Sequence, residues 1–427
     1  MGFNWETCAV IGACGKMGSG IALLMLKEMA RNAAEKQGRV REASFRLYLI
    51  DHEEERLYQL RRIFRPLLRR YAEKKINFLR EAFREREELV SNEEVIEEFV
   101  EGAVDNLRFS KRAEDAALAN WVFEAIVEDV EVKASLYQTL SQSCSEDALF
   151  FSNTSSIPIR VLQEKGGLQG RILGLHFYNP PVVQKLVEVI AAPDTNPALL
   201  EAAEEIAQKL GKVIVRSRDV AGFIGNGHFI REIGFACSLV DKLSSDVGSE
   251  EAIVKVDAAT RDRLLRPMGV FQLIDYVGIE VCLSIARVMS DYLADESFRF
   301  NFLEEMVEKG IKGGQDPDGS QKEGFFQYEK GRPAAVYSIE REEYVPIRVE
   351  PAPGLTWKAL LKDPEQKEKV KKHEEILFEE PGEENELAKT FLIHSREAAD
   401  LLVSRGVADS KEDVHQVLRN GFYHLLV

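Results

Sequence analysis

Thr7-Cys-Ala-Val-Ile11, running directly into Gly12-Ala-Cys-Gly15-Lys-Met-Gly18-Ser-Gly20, is the stretch on which the fold turns. The first five residues are an apolar run suited to a buried strand, and Ile21 to Ala30 continues with helical composition. Strand, glycine turn and helix, in that order, is the context in which such glycines mean dinucleotide binding. One glycine makes the tight turn, one lets the pyrophosphate approach the backbone, and one lets the helix pack on the strand. Gly12-x-x-Gly15-x-x-Gly18 holds one residue more between its first two glycines than the usual G-x-G-x-x-G. Cys14, in this loop, is either a small buried residue or a thiol activated by the helix N-terminus.

Working outward, Phe45 to Ile50 reads as a second strand, with Asp51 placed to bond the adenosine ribose hydroxyls. A carboxylate there repels a 2′-phosphate and favours NAD over NADP; the plainer reading is a strand-end turn residue. Asp51 lies beyond the usual spacing of about twenty residues from the glycines, so residues 30 to 44 must hold an extended helix or loop. Residues 53 to 98 are dense in Glu, Arg and Lys, with Leu57, Leu60, Ile63, Phe64, Leu67, Leu68 and Tyr71 at helical spacing and Ile76, Phe78, Leu79 and Phe83 after them. The pattern predicts a helical hairpin inserted in the α/β domain. Arg69, Arg70, Lys74 and Lys75 are either a solvated face or a phosphate-binding cluster.

The sheet resumes at Asn120 to Val127, and Glu128-Asp-Val-Glu-Val-Lys133 opens a helix. Ala148 to Phe151 then runs into Ser152-Asn-Thr-Ser-Ser156. Five polar groups at the end of a central strand exceed what a helix cap needs, and with Asn153 among them they suit a carboxamide and a substrate oxygen. Arg171 to Leu175 places His176 at a strand's carboxyl end, where open α/β sheets bind ligands. Asn179-Pro180-Pro181 breaks that strand, and Lys185 to Ile190 reads as the next, with Glu188 able to point back at the imidazole. A His held by a carboxylate is a general base with a stabilised cationic form; a histidine taken alone is more often a packed or solvated residue.

From Asp219-Val-Ala-Gly-Phe-Ile-Gly-Asn226 onward the periodicity turns helical. The expected organisation is an α/β domain at 1–215, an all-helical domain at 216–331, and a tail at 332–427. The tail begins as an irregular connector with Pro333, Pro346, Pro351 and Pro353 and ends in two helices, 389–405 and 411–427. Arg405 to Val414 weakly echoes Asp246 to Val254, which suggests half of a repeated unit.

The 427 residues are too many for one ordinary domain. A net charge of -16 argues against nucleic acid or an anionic membrane as a general partner, and no apolar run is long enough for a membrane span. The five cysteines are odd in number and never in C-x-x-C spacing. That fits reduced thiols in a cytoplasmic protein, with no disulfide framework and no metal site.

Several motifs then fall in one order: Met17-Gly-Ser-Gly-Ile-Ala22, Glu124-Ala-Ile-Val-Glu128 with Lys133, Ser152-Asn-Thr-Ser-Ser156, His176-Phe-Tyr-Asn-Pro180, Lys185-Leu-Val-Glu188, Gly222-Phe-Ile-Gly-Asn226, Pro267-Met-Gly269, Asp275-Tyr-Val-Gly278 and Glu323-Gly-Phe-Phe326. Together they resemble the L-3-hydroxyacyl-CoA dehydrogenase family over roughly the first three quarters of the chain. The resemblance implies a Rossmann-type doubly wound sheet with an inserted helical hairpin, followed by an all-α C-terminal domain. It implies NAD as cofactor, an acyl-CoA substrate, and oxidation of L-3-hydroxyacyl-CoA in fatty-acid β-oxidation. By this resemblance His176 and Glu188 are the catalytic pair. Ser155, Asn226 and Lys74 match substrate contacts, and Gly12, Gly15, Gly18, Asp51, Glu128, Lys133 and Asn179 match cofactor contacts. Gly227 stands where the family usually has arginine. The absence of an enoyl-CoA hydratase region implies a single-activity enzyme, while the tail resembles the opening half of a second helical repeat. A homodimer through the helical domain is expected, or a monomer if the tail covers that surface. The competing readings are a dehydrogenase of a free hydroxy acid on the same fold, and a non-catalytic homologue that only binds cofactor or acyl-CoA.

Overall fold

The computed structural model describes residues 3, 5–316, 319–347 and 354–427. The chain falls into two compact units, Met1–Asp219 and Val220–Val427. The first is built on strands β1 (Thr7–Ile11), β2 (Arg46–Ile50), β3 (Leu107–Ser110), β4 (Trp121–Glu124), β5 (Leu149–Ser152), β6 (Ile172–Phe177), β7 (Leu186–Ala191) and β8 (Val213–Arg218). They form one sheet in the order β3-β2-β1-β4-β5-β6-β7-β8. Every neighbouring pair is parallel except β6 and β7. β4, β5 and β6 are buried along their whole length, as strands covered on both faces must be, and their sequences are accordingly almost uninterruptedly apolar. Chain order reverses between β1 and β4, which puts the topological switch point beside the glycine turn.

Helix α1 (Lys16–Gln37) is 22 residues long and ends on Gly38 in the left-handed region. Its length accounts for the distance from the glycines to Asp51. The insertion is α2 (Glu54–Lys74), α3 (Ile76–Ala82) and α4 (Asn92–Asp105). The returning arm that packs on α2 is thus α4, not the Ile76–Phe83 stretch, and it starts at a capping box in which Ser91 and Glu94 satisfy each other's backbone. Leu57, Leu60, Phe64 and Leu68 form the buried stripe of α2, while Ile63 and Leu67 are exposed on its flank. Helices α5 (Val130–Ser143), α6 (Ile159–Gly166) and α7 (Pro197–Lys209) complete the unit.

The second unit opens with α8 (Gly225–Val247), α9 (Ser249–Ala258), α10 (Val270–Val277), α11 (Ile279–Tyr292) and α12 (Asn301–Glu308). The start of the expected irregular connector and the end of the region expected to be all-helical together form a three-stranded antiparallel sheet of β9 (Phe326–Glu329), β10 (Arg332–Ser338) and β11 (Glu343–Pro346). Lys330 and Gly331, both at positive φ, make a two-residue hairpin turn of the kind that matches strand twist. Asp275 anchors this sheet: its carboxylate accepts from the Phe325 and Phe326 N–H groups (2.6 and 3.0 Å) and from the Tyr328 hydroxyl (2.8 Å). A Cβ at Gly324 would lie 2.1 Å from that carboxylate, which explains why the Asp275 and Glu323-Gly-Phe-Phe326 motifs need each other. Pro351 and Pro353 lie outside the described residues.

The tail helices are α13 (Trp357–Leu360), α14 (Gln366–Glu379), α15 (Glu383–Ser404) and α16 (Lys411–Gly421). Of these, α14, α15 and the residues after α16 share one hydrophobic core with α8 to α12, into which Leu377, Ala388, Phe391, Leu392 and Leu426 are buried. At roughly 1.5–3 kcal/mol for each large side chain, removing them costs as much as a domain's whole stability. A chain ended at Gly331 is therefore expected to lose the cooperative melt of the second unit by calorimetry. A preserved second transition would show that the tail is accessory.

Candidate active site

The antiparallel pairing of β6 and β7 places His176 directly opposite Glu188, so their side chains share one face of the sheet. His176 Nδ1 lies 3.4 Å from Glu188 Oε1, a separation typical of acid–base pairs that tighten when substrate binds. Glu188 is fully enclosed and His176 nearly so. The same carboxylate oxygen accepts a 2.6 Å bond from the Tyr178 hydroxyl, and the Tyr178 ring packs on the imidazole with centroids 4.8 Å apart. Burial and the Glu188 charge push the Tyr178 phenol well above its usual value, so it stays a hydrogen-bond donor. Sequence reading missed Tyr178 although it sits in the quoted His176-Phe-Tyr-Asn motif; a polar tip two residues along the same strand face was the available signal.

Beside this pair lies a buried ionic network on the ends of β4 and β5. Glu124, the last residue of β4, accepts from Lys133 Nζ (2.5 Å) and the Ile126 N–H (2.8 Å) through Oε1, and from Ser152 Oγ (2.6 Å) and the Tyr137 hydroxyl (3.0 Å) through Oε2. Glu128 Oε1 accepts from the Ser155 and Ser156 N–H groups (2.8 and 2.9 Å) and from the hydroxyls of Thr154, Ser155 and Ser156 (2.7, 3.1 and 2.9 Å). Glu128 thus fixes the polar turn after β5. Burial opposes its charge, but Lys133 and these donors outweigh burial and hold its carboxyl below the usual range. Burial likewise opposes the Lys133 charge, and Glu124 and Glu128 overcome it and raise its pKa. Lys133, expected on the cofactor, is 1% exposed with its ammonium between Glu124 and Glu128. Asn153 Oδ1 accepts the Phe177 N–H at 2.9 Å, stitching the end of β5 to the end of β6. Glu124, Tyr137, Thr154 and Ser156 were not singled out from sequence; a carboxylate inside a four-residue apolar strand was the sign that partners had to exist.

The glycine turn occupies the carboxyl end of β1. Gly12 has φ +80°, and a Cβ there would lie 2.4 Å from the Ala125 carbonyl oxygen; a Cβ on Gly18 would lie 2.0 Å from the Gly12 oxygen. Gly18→Ala is therefore expected to force the turn open and to weaken NADH binding at least tenfold, read by fluorescence titration, while far-UV circular dichroism stays native. Unchanged affinity would show that the turn does not shape the nucleotide site. A cleft of about 460 Å³ beside the turn is lined by Gly12, Gly15, Asp51, His52, Ile126, Val127 and Val132 among others. The additional loop residue has a visible effect: the Cys14 N–H donates to Asp51 Oδ2 (2.9 Å), and Asp51 Oδ1 accepts from the Glu53 N–H (3.2 Å). His52 Nδ1 also lies 3.1 Å from Oδ1, which leaves Oδ2 as the oxygen with a lone pair for a ribose hydroxyl. Burial, then Asp51, pushes the Cys14 thiol up to about 12, so it is not an activated thiol. Asn179 Oδ1 is a buried acceptor that meets no donor among the described residues, as a carboxamide-bearing cofactor would require. A glycine cradle without room for a Cβ, an acidic residue at the end of β2 and this open acceptor together fit NAD.

Lys74 stands exposed in the last turn of α2. Its neighbour Arg69 is paired with Glu73, Glu93 and Glu97, which removes one member of the expected phosphate cluster. Asn226 belongs to the second unit, on the first turn of α8. Among the described residues no helix is long and apolar enough to cross a membrane.

Residues 58–220 match the 3-hydroxyacyl-CoA dehydrogenase NAD binding domain, and residues 222–323 match the C-terminal domain of the same family. The glycine turn and Asp51 precede the matched span. The chain is 34% identical over 245 residues to a 3-hydroxybutyryl-CoA dehydrogenase of Bradyrhizobium diazoefficiens, covering 57% of this chain and 80% of that protein. It is 33% identical over 233 residues to the mitochondrial hydroxyacyl-coenzyme A dehydrogenase of Sus scrofa, covering 54% and 68% respectively. In fold it is similar to the crystal structure of 3-hydroxybutyryl-CoA dehydrogenase from Escherichia coli, with a TM-score of 0.65 at 23% identity over 99% of this chain and 90% of that one. With both family domains matched and a relative 34% identical over 80% of its length, the chain belongs to the 3-hydroxyacyl-CoA dehydrogenase family of NAD-dependent oxidoreductases.

Proposed function

We propose that the chain oxidises L-3-hydroxyacyl-CoA to 3-ketoacyl-CoA in fatty-acid β-oxidation, with His176 as the general base and Glu188 as its charged partner. The observation that carries this reading is the register of β6 and β7, which sets a fully buried carboxylate against Nδ1 of the imidazole. Glu188 opposes the positive charge that His176 gains on taking the hydroxyl proton, and the enclosure strengthens that attraction by excluding water. Tyr178 keeps the carboxylate oriented through its 2.6 Å bond. When bound, NAD supplies the hydride acceptor for the carbon that bears the hydroxyl. Gly12, Gly15, Gly18, Asp51, Asn153 and Asn179 are the residues that would hold the cofactor, and Glu128 and Lys133 support them by fixing the turn after β5. Ser155 and Asn226 are assigned to the substrate oxygen and Lys74 to the CoA end.

The test is NADH oxidation against 3-ketoacyl-CoA substrates of increasing chain length, with a free 3-keto acid as control. Turnover confined to the thioesters, with KM raised about tenfold in Lys74→Ala, is the expected result. Equal activity on the free acid would replace the CoA reading with a free hydroxy acid.

A further inference from the structure

Residues 227, 228 and 231, which directly follow Asn226 on α8, are each gripped by the tail or by groups the tail holds. Gly227 faces Leu402 of α15, whose Cδ2 would lie only 3.1 Å from a Cβ at that position, and Leu402 is itself buried. His228 is fully enclosed, with Nε2 2.9 Å from the Ser395 carbonyl oxygen and 3.2 Å from the Ser395 hydroxyl. Arg231 donates back to the Gly227 carbonyl at 2.6 Å through Nη1, and its other nitrogens pair with Glu296 at 2.9 and 2.5 Å. Glu296 in turn pairs with Arg405, one residue beyond α15, at 2.6 Å, and Arg405 also holds Asp295 at 2.7 Å. The chain enters this turn through Gly222 and Phe223, both at positive φ, so its approach is fixed from the other side as well.

The smallness of residue 227 lets Leu402 sit close against α8. A Cβ there would meet the end of the Leu402 side chain at 3.1 Å, tighter than ordinary contact, so Leu402 or the turn that carries Asn226 would have to give by a few tenths of an ångström. Ser395 bonds His228 and Leu402 lies against Gly227, so both act on the first turn of α8.

We propose that α15 is a positioning element for substrate: Leu402 and Ser395, acting through Gly227 and His228, set the first turn of α8 and with it the direction of the Asn226 amide. This rests on the assignment of Asn226 to the substrate oxygen. A displacement of a fraction of an ångström at a group that orients the reacting carbon is felt in turnover, whereas the nucleotide cleft of the first unit is lined by none of these residues.

The experiment uses the full chain and compares wild type, Asn226→Ala, Gly227→Ala and Gly227→Ala/Leu402→Val for acetoacetyl-CoA reduction, with KM for NADH and thermal melting measured alongside. Gly227→Ala is expected to lower kcat/KM for the thioester about tenfold while KM for NADH stays within twofold. Shortening Leu402 in the same chain is expected to restore at least half of the loss. A Gly227→Ala protein that melts as wild type and turns over as wild type overturns the proposal, as does an equal loss toward both substrates. Should Gly227→Ala not fold, Leu402→Val alone is read by the same criteria, since it loosens the contact without crowding. If Asn226→Ala is itself without effect, the substrate assignment of Asn226 fails and the positioning role fails with it. An effect in Asn226→Ala without one at Gly227 overturns the positioning role only.

Discussion

Replacing His176 by alanine is expected to lower kcat for acetoacetyl-CoA reduction about 10³-fold, within the range general acid–base groups contribute, while NADH binds as in wild type. The separation of effects follows from placement. His176 is on β6 against Glu188 and Tyr178, and the cleft beside the glycine turn is lined by the ends of β1 and β2, the segments that follow β1 to β4, and α5. Glu188→Gln should cost less, about 10²-fold, because it keeps the shape and an acceptor for the Tyr178 hydroxyl but removes the charge that opposes an imidazolium. Glu188→Ala would cost more, since it also strands a buried phenol. Turnover within tenfold of wild type in His176→Ala, or loss of NADH binding along with activity, would contradict the assignment.

Lys133→Met is expected to destabilise the first unit by about 3–5 kcal/mol, the usual consequence of stripping one partner from a buried ion pair. The expectation is strong here because Lys133 serves two carboxylates. Without it, Glu124 and Glu128 face each other in a site where Lys133 and Glu124 are 1% and 0% exposed. Glu128 would then relax its hold on Thr154, Ser155 and Ser156, so the surviving folded fraction should also show weakened substrate binding. The double variant Lys133→Met/Glu124→Gln should recover a good part of the stability, because it removes one uncompensated charge. Urea unfolding followed by circular dichroism measures both. A loss under 1 kcal/mol in the single variant would show that the network is not closed in solution.

Much of the first unit was legible because its grammar is local. An apolar strand, a glycine turn and a helix follow one another within thirty residues, and each later strand announces itself by an apolar run that ends in a polar cluster. Glu188 could be placed opposite His176 because one break, Asn179-Pro180-Pro181, separates two strand-like runs, and antiparallel return is the simplest path between them. What sequence could not supply were the partners of buried charge. Nothing in the spacing says that Glu124 takes four donors, or that Lys133 turns inward to it and away from the cleft, because those contacts join residues brought together only by the sheet.

The tail was misread for a related reason. Four prolines suggested an irregular connector, yet Pro333 and Pro346 sit within strands of a small three-stranded sheet. What holds that sheet in place is Asp275, about fifty residues earlier in the chain. The two helices read at the end of the chain exist, but α15 and Leu426, which follows α16, are buried in the core of the second unit and not in a separate module. The glycine at 227, seen from sequence only as a departure from an arginine, becomes intelligible once Leu402 is found against it.

The most direct test of the central claim is the initial rate of NADH oxidation by the purified 427-residue chain with acetoacetyl-CoA, measured in parallel for wild type and His176→Ala at equal NADH occupancy. The account predicts thioester-dependent turnover in wild type and a rate about 10³-fold lower in the variant. Equal rates in the two proteins, or no thioester-dependent oxidation by a wild-type chain that binds NADH, would contradict it.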